Sequence, residues 1–294
     1  MITLVVMDVE VTVDPSLGGR AVSWRVAGEE LLHRQGDDPI EFGMYPMAPW
    51  AGRIRGNEVI GPDGPRELPA TYGPWALHGT VLDQALTVVE RVEDPERQAV
   101  VMETTHHASW PWPLTARVSW TLEARVLTTE IALVSPVDGS PVVTGWHPWF
   151  RRKVSGSRGE WSLEAPRLLR RGDDALPLEL MAGVGTGPFD DAFWVPSGRA
   201  SIHWPGQLGI DVVTEGAWYV VYDERPEAIC LEPQSGPPDG LDDHPWHTAE
   251  RLAAGEPRSW RTTWTMRDLR EGRGWRWLPW HRTRAQHPSP AWTG

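Results

Sequence analysis

The chain has 294 residues, a length at which large β-sandwiches and barrels still form one unit. Its 28 basic and 40 acidic side chains give a formal charge of −12, which repels phosphate backbones and anionic surfaces, so neither nucleic acid nor membrane is expected as a partner. A single cysteine, Cys230, excludes an internal disulfide framework and a multi-thiolate metal site, and points to a reducing compartment, the cytoplasm.

The start of the chain, from Met1 to Asp8, has no basic region and meets an acid too early for a secretory signal. No apolar run approaches the roughly 20 residues of a membrane helix. Alternating or β-branched runs then recur at 2–13, 21–26, 85–92, 99–105, 114–122 and 127–134, and again at 142–146, 200–204, 210–213, 218–222, 228–231 and 260–266. Gly and Pro are scattered among them as punctuation. Helical spacing is confined to a turn or two at 248–254, too short to sustain itself. The pattern predicts an all-β fold, a large antiparallel β-sandwich. Segments 39–72 and 172–193 lack strand pattern, and long loops in compact domains usually build sites. The organisation expected is one domain over 1–268 and a Trp/Arg-rich tail over 269–294. From Arg267 onward six Arg face two acids, 6 − 2 = +4. Such a segment suits docking on an acidic surface, or a poorly ordered extension.

Five passages join titratable and rigid residues: 46–54, 76–79, 145–150, 189–193 and 231–240. Glu232 follows an apolar strand and precedes Pro233, which is expected to end the ladder there. A carboxyl held at such a strand end, partly desolvated, becomes a useful base. His147 is expected to end the strand that runs to Trp146, locked between Trp146 and Pro148, and a fixed imidazole exchanges protons near neutrality. His78 precedes Gly79, which permits close approach by a ligand. Arg53 offers a fork of donors in the first long loop, and Asp190 or Asp191 could accept from hydroxyls. Each residue alone is also what a surface glutamate, a core histidine, a loop arginine or an Asx turn would provide. No metal is expected: His106-His107 would point to opposite faces of a strand, and His244 and His247 belong to no metal motif. No nucleotide-binding fingerprint appears either, so no cofactor is expected. Nineteen tryptophans suit either sugar faces or a core.

In this order the passages resemble the aldose 1-epimerase family, which includes the galactose mutarotases. The resemblance is carried by Tyr45-Pro46-Met47-Ala48-Pro49-Trp50, Arg53-Ile54, Leu77-His78-Gly79, Trp146-His147-Pro148, Asp190 with Phe193, and Glu232-Pro233-Gln234 through Asp239. It implies a galactose mutarotase-like supersandwich with one sugar cleft and no metal or cofactor. In it Glu232 is the general base, His147 the general acid, and Arg53, His78 and Asp190 position the sugar. The family's Asp-x-x-Phe pattern selects Asp190 over Asp191. Gly52, Trp149 and Gly240-Leu241-Asp242 depart from the family pattern, which leaves the preferred sugar open. The function implied is anomer interconversion of a free hexose by a monomer or dimer. Two alternatives remain: a hexose-phosphate epimerase, which would need a basic cluster for which Arg20, Arg55, Arg151 and Arg152 are candidates, and a sugar-binding module without turnover.

Overall fold

Along Thr115–Glu123 and Val126–Val134, alternating side chains become alternately buried and half-exposed, as expected of strands with one face on a core. The two strands pair without interruption from Thr115 opposite Val134 to Glu123 opposite Val126. The computed structural model describes residues 1–105, 109–164 and 166–270. This hairpin belongs to an eight-stranded antiparallel sheet that also holds Arg258–Asp268, Leu208–Thr214 and Arg199–Trp204. A second, eleven-stranded sheet runs from Ile2–Val6 through Arg20–Val26 and Met44–Met47 to its centre at Gly145–Arg151 and Ala228–Gln234. It then continues through Trp218–Tyr222 and Asp190–Trp194 to Pro177–Ala182.

The core lies between the sheets. Trp120 meets Trp146 edge-on at 4.8 Å, and Phe150 meets Trp204 and Trp264 at 6.1 and 6.3 Å. These rings are almost fully buried, so much of the tryptophan content is packing material rather than sugar platform.

The expected β-sandwich is present, and several local expectations are corrected. Segment 39–72 contains the strand Met44–Met47 and the hairpin Glu58–Gly61 with Gly64–Glu67; segment 172–193 contains Pro177–Ala182 and the start of Asp190–Trp194. Both were hidden because pairing partners, not alternation, define these strands. Residues Glu250–Leu252, inside the stretch with helical spacing, pair with Ser140–Val142 as a strand. Neither Glu232 nor His147 ends its strand: each sits mid-strand in the large sheet. Pro148 and Pro233 are tolerated because the ladder between these two strands is interrupted beside them. Gly145 pairs with Gln234 and Trp149 with Cys230, with no pair between, so no N–H is required of the prolines there. No helix among the described residues is long and apolar enough to cross a membrane. His106, His107 and residues 271–294 of the tail lie outside the described residues.

Candidate functional site

Side chains two apart on a strand share a face, and the central strands of the large sheet turn one such face toward a cleft. Register places Tyr45 beside His147, Glu232 beside Val220, and Val220 beside Ala192; the next row runs Trp149, Cys230, Tyr222, Asp190. All of these except Cys230 line a cavity of about 320 Å³, a size suited to a small ligand. Loops carrying Ile40, Arg53, His78 and Arg225 supply its walls.

His147 Nε2 and Glu232 Oε1 are 3.2 Å apart, with side chains 7% and 3% exposed. Burial pushes the Glu232 carboxyl well up, an effect reinforced by Asp190 and opposed by Gln234 and Arg53. Burial likewise pushes His147 well down, with His78 and Arg20 acting in the same direction. Both shifts disfavour charge, which favours a neutral carboxyl beside a neutral imidazole. Two groups in contact, each strongly perturbed and in a cleft, form a natural acid–base couple.

His78 has a left-handed backbone, φ 61°, unusual for a side chain other than Gly. Its Nδ1 accepts from the Gly52 N–H at 3.2 Å, which leaves Nε2 to carry the proton. Burial holds its pKa down at about 3, making it a fixed neutral donor. A Cβ on Gly79 would lie 2.0 Å from the Ala48 carbonyl oxygen, so only glycine allows this loop to close. Gly52, also at positive φ, packs against Pro238, where a Cβ would approach to 2.7 Å. Asp239 anchors the same loop: it accepts from the Arg55 backbone N–H and Nε at 2.8 and 3.0 Å, while its own N–H bonds the Arg53 carbonyl.

All five expected site residues line the one cleft, with Asp190 in a different state from the other polar groups. Its Oδ2 receives Arg171 Nη1 at 2.6 Å, and the same guanidinium lies 3.7 Å from Asp191 and 3.9 Å from Glu224. Arg225 is paired with Glu41. Arg53 is the one cleft arginine with no ion pair among the described residues. The four arginines considered for phosphate lie elsewhere. Arg20 is buried with Nη1 donating to the Phe42 carbonyl, and Arg55 pairs with Asp239. Arg151 is exposed, and Arg152 donates to the Ala228 and Asp223 carbonyls.

Sequence reasoning passed over Arg171, Tyr222, Arg225 and Gln234. Gln234 was findable, being two residues from Glu232 on its strand; the others depend on pairings that local pattern does not encode. It also foresaw no metal motif, yet His147, Cys230 and Glu232 bring potential ligand atoms within 4.8 Å of one another. That bound is looser than the edges of about 3.5 Å implied by tetrahedral zinc bond lengths. Burial also pushes the Cys230 thiol well up, away from the thiolate a metal requires.

The fold has counterparts among solved structures. A structure described as a putative aldose 1-epimerase from Escherichia coli K12 matches with a TM-score of 0.76 at 19% identity, covering 91% of this chain and 98% of that one. A galactose mutarotase-like protein from Clostridium acetobutylicum matches with a TM-score of 0.80 at 16% identity, covering 90% and 94%. A galactose 1-epimerase from Lactobacillus acidophilus NCFM matches at 0.75 and 16%, covering 90% and 93%. No curated protein matches the sequence. The family model for aldose 1-epimerase matches residues 8–265, and the chain belongs to the aldose 1-epimerase family.

Proposed function

We propose that the protein interconverts the α and β anomers of a free, neutral hexose, with Glu232 as base and His147 as acid. The observation that carries this reading is the 3.2 Å contact between the two buried groups on the cleft floor. The hydroxyl oxygen and ring oxygen that must exchange protons both hang on C1 of an aldopyranose, so neighbouring groups suit them better than distant ones.

Ring opening uses the state in which the shared proton has crossed to His147. Arg53, which favours the carboxylate, and the sugar's hydroxyls stabilise that state. The Glu232 carboxylate takes the proton of O1; the C1–O5 bond breaks as C1=O1 forms; His147 Nε2 gives its proton to O5. Rotation about C1–C2 and reclosure with roles reversed yields the other anomer. Arg53, His78 through Nε2–H, and Asp190 position the hydroxyls. No electron leaves or enters, so no cofactor is called for.

A neutral sugar fits the charge of the walls. Arg171 and Arg225 are committed to carboxylates, and the four arginines a phosphate reading would enlist are outside the cleft lining. We assign residues 1–268 to one unit and, from the lone buried thiol, a cytoplasmic setting.

Polarimetry on freshly dissolved α-hexose tests the reading, with calorimetry for binding. Faster mutarotation that E232Q and H147N abolish is expected. Binding heat without acceleration would make the protein a sugar-binding module, and preference for the 6-phosphate would overturn the neutral-substrate assignment.

A further inference from the structure

A histidine that moves protons usually owes its orientation to a hydrogen bond at its second ring nitrogen. His147 has no such bond: Nδ1 is buried without a partner among the described residues. Its plane must be held by packing. The imidazole lies nearly parallel to Tyr45, 4.7 Å and 22° away, and to Trp149, 5.3 Å and 15° away. Both rings reach for one acceptor. The Tyr45 hydroxyl donates to the Ile40 carbonyl at 3.0 Å, and Trp149 Nε1–H donates to the same oxygen at 2.8 Å.

Ile40 sits in the short turn Pro39–Glu41, whose N-cap is Asp38: its carboxylate accepts from the Ile40 N–H at 3.2 Å. The neighbours of Ile40 reach the same rings. Glu41 pairs with Arg225, whose guanidinium lies 5.2 Å over Trp149. Phe42 takes Arg20 against its ring at 4.5 Å, and Arg20 also covers Tyr45 at 4.7 Å. Cations on aromatic faces hold those rings further.

We propose that the turn Asp38 to Phe42 is a positioning device for the His147 imidazole. It acts through the shared Ile40 carbonyl on Tyr45 and Trp149, the two rings that fix the imidazole plane opposite Glu232. Asp38 and Trp149 are positioning residues, for the sugar itself meets the imidazole. This rests on the proposed function for its rate readout but not for its structural one.

The test uses the full-length protein and three variants: D38A, which loosens the turn outside the cleft; W149F, which keeps a ring but loses the bond to Ile40; and W149L, which removes the ring. The first readout is the NMR signal of the His147 ring in free, histidine-labelled protein, assigned with H147N. The neighbouring ring currents make its position sensitive to the stack. The second is kcat and KM for mutarotation. All three variants should move the His147 signal and lower kcat, by roughly 3- to 10-fold in D38A and W149F and up to about 100-fold in W149L, since small misplacements cost this much. KM should stay within about threefold in D38A, whose side chain lies outside the cleft lining; Trp149 lines the cleft, so for its two variants kcat and the His147 signal are the readouts.

Should W149L fail to fold, D38A and W149F decide alone. A moved signal with unchanged kcat, a lost kcat with an unmoved signal, or a rise in KM alone overturns the proposal. If the wild type does not accelerate mutarotation, the proposed function falls, and an unmoved signal in D38A and W149F is then the result that overturns the positioning role.

Discussion

The two sheets obey different rules. In the eight-stranded sheet, Thr115–Glu123 and Val126–Val134 alternate without a break and pair along their whole length. In the larger sheet, Gly145–Arg151 is buried at every position but its last and Ala228–Gln234 throughout, and each carries a proline beside a gap in the ladder. The first pair is regular throughout, whereas the second sacrifices regularity to keep a carboxyl and an imidazole dry. Violations of local rules concentrate where function is.

The sharpest way to break this contrast is to exchange the costs. E232Q and H147N should each lower kcat by roughly 10²–10⁴-fold with little change in Tm. W264A, in the eight-stranded sheet, should cost about 3–5 kcal/mol and leave the rate per folded molecule near wild type. A thermal melt and polarimetry on the same samples decide; an E232Q protein that melts as early as W264A would erase the distinction.

The pH dependence of stability sharpens it next. His78 is held at about 3 against an ordinary 6.5, so between these values the unfolded chain binds a proton that the folded chain does not. Stability therefore falls as pH drops from 6.5 toward 3, by at most on the order of 5 kcal/mol. Denaturant melts of H78Q should show a shallower acid loss than wild type.

Activity responds to the opposite charge. Asp190 is one of the groups that push Glu232 up, so D190N should move the alkaline limb of the rate profile to lower pH. The loop anchor is subtler still. D239N weakens the hold on Arg55 and the Arg53 loop, and should raise KM by roughly 5- to 10-fold, about the worth of one ordinary hydrogen bond, with a smaller change in kcat. Smallest of all, E179A breaks an exposed pair with Arg170 at the edge of the large sheet and should shift stability by under about 0.5 kcal/mol.

The regular sheet was legible in the sequence because alternation alone defines it: the runs at 114–122 and 127–134 match the strands to within a residue. The larger sheet was legible in part: the runs at 2–13, 21–26, 218–222 and 228–231 fall on its strands, whereas Met44–Met47 and Pro177–Ala182 lay in segments without strand pattern. Pro46 hid one central strand inside a segment read as loop, and Pro148 and Pro233 made two others end too early, since a gap in a ladder is a property of two strands and not of one. Glu232, His147, Arg53, His78 and Asp190 were reached from residue type and order. The partners that modify them were not, because Arg171 and Ile40 come to the cleft through pairings and turns remote in the chain. Ile40 could not be found at all by side chain, as it contributes a carbonyl.

Cys230 offers a last consequence. It is the chain's single thiol, fully enclosed between Trp149 and Tyr222 along the register, and its surroundings suppress the thiolate. An alkylating reagent can reach it only when the floor beneath the sugar parts. The rate at which iodoacetamide labels the native protein is therefore a clock for that opening, ticking at one known atom without any engineered probe.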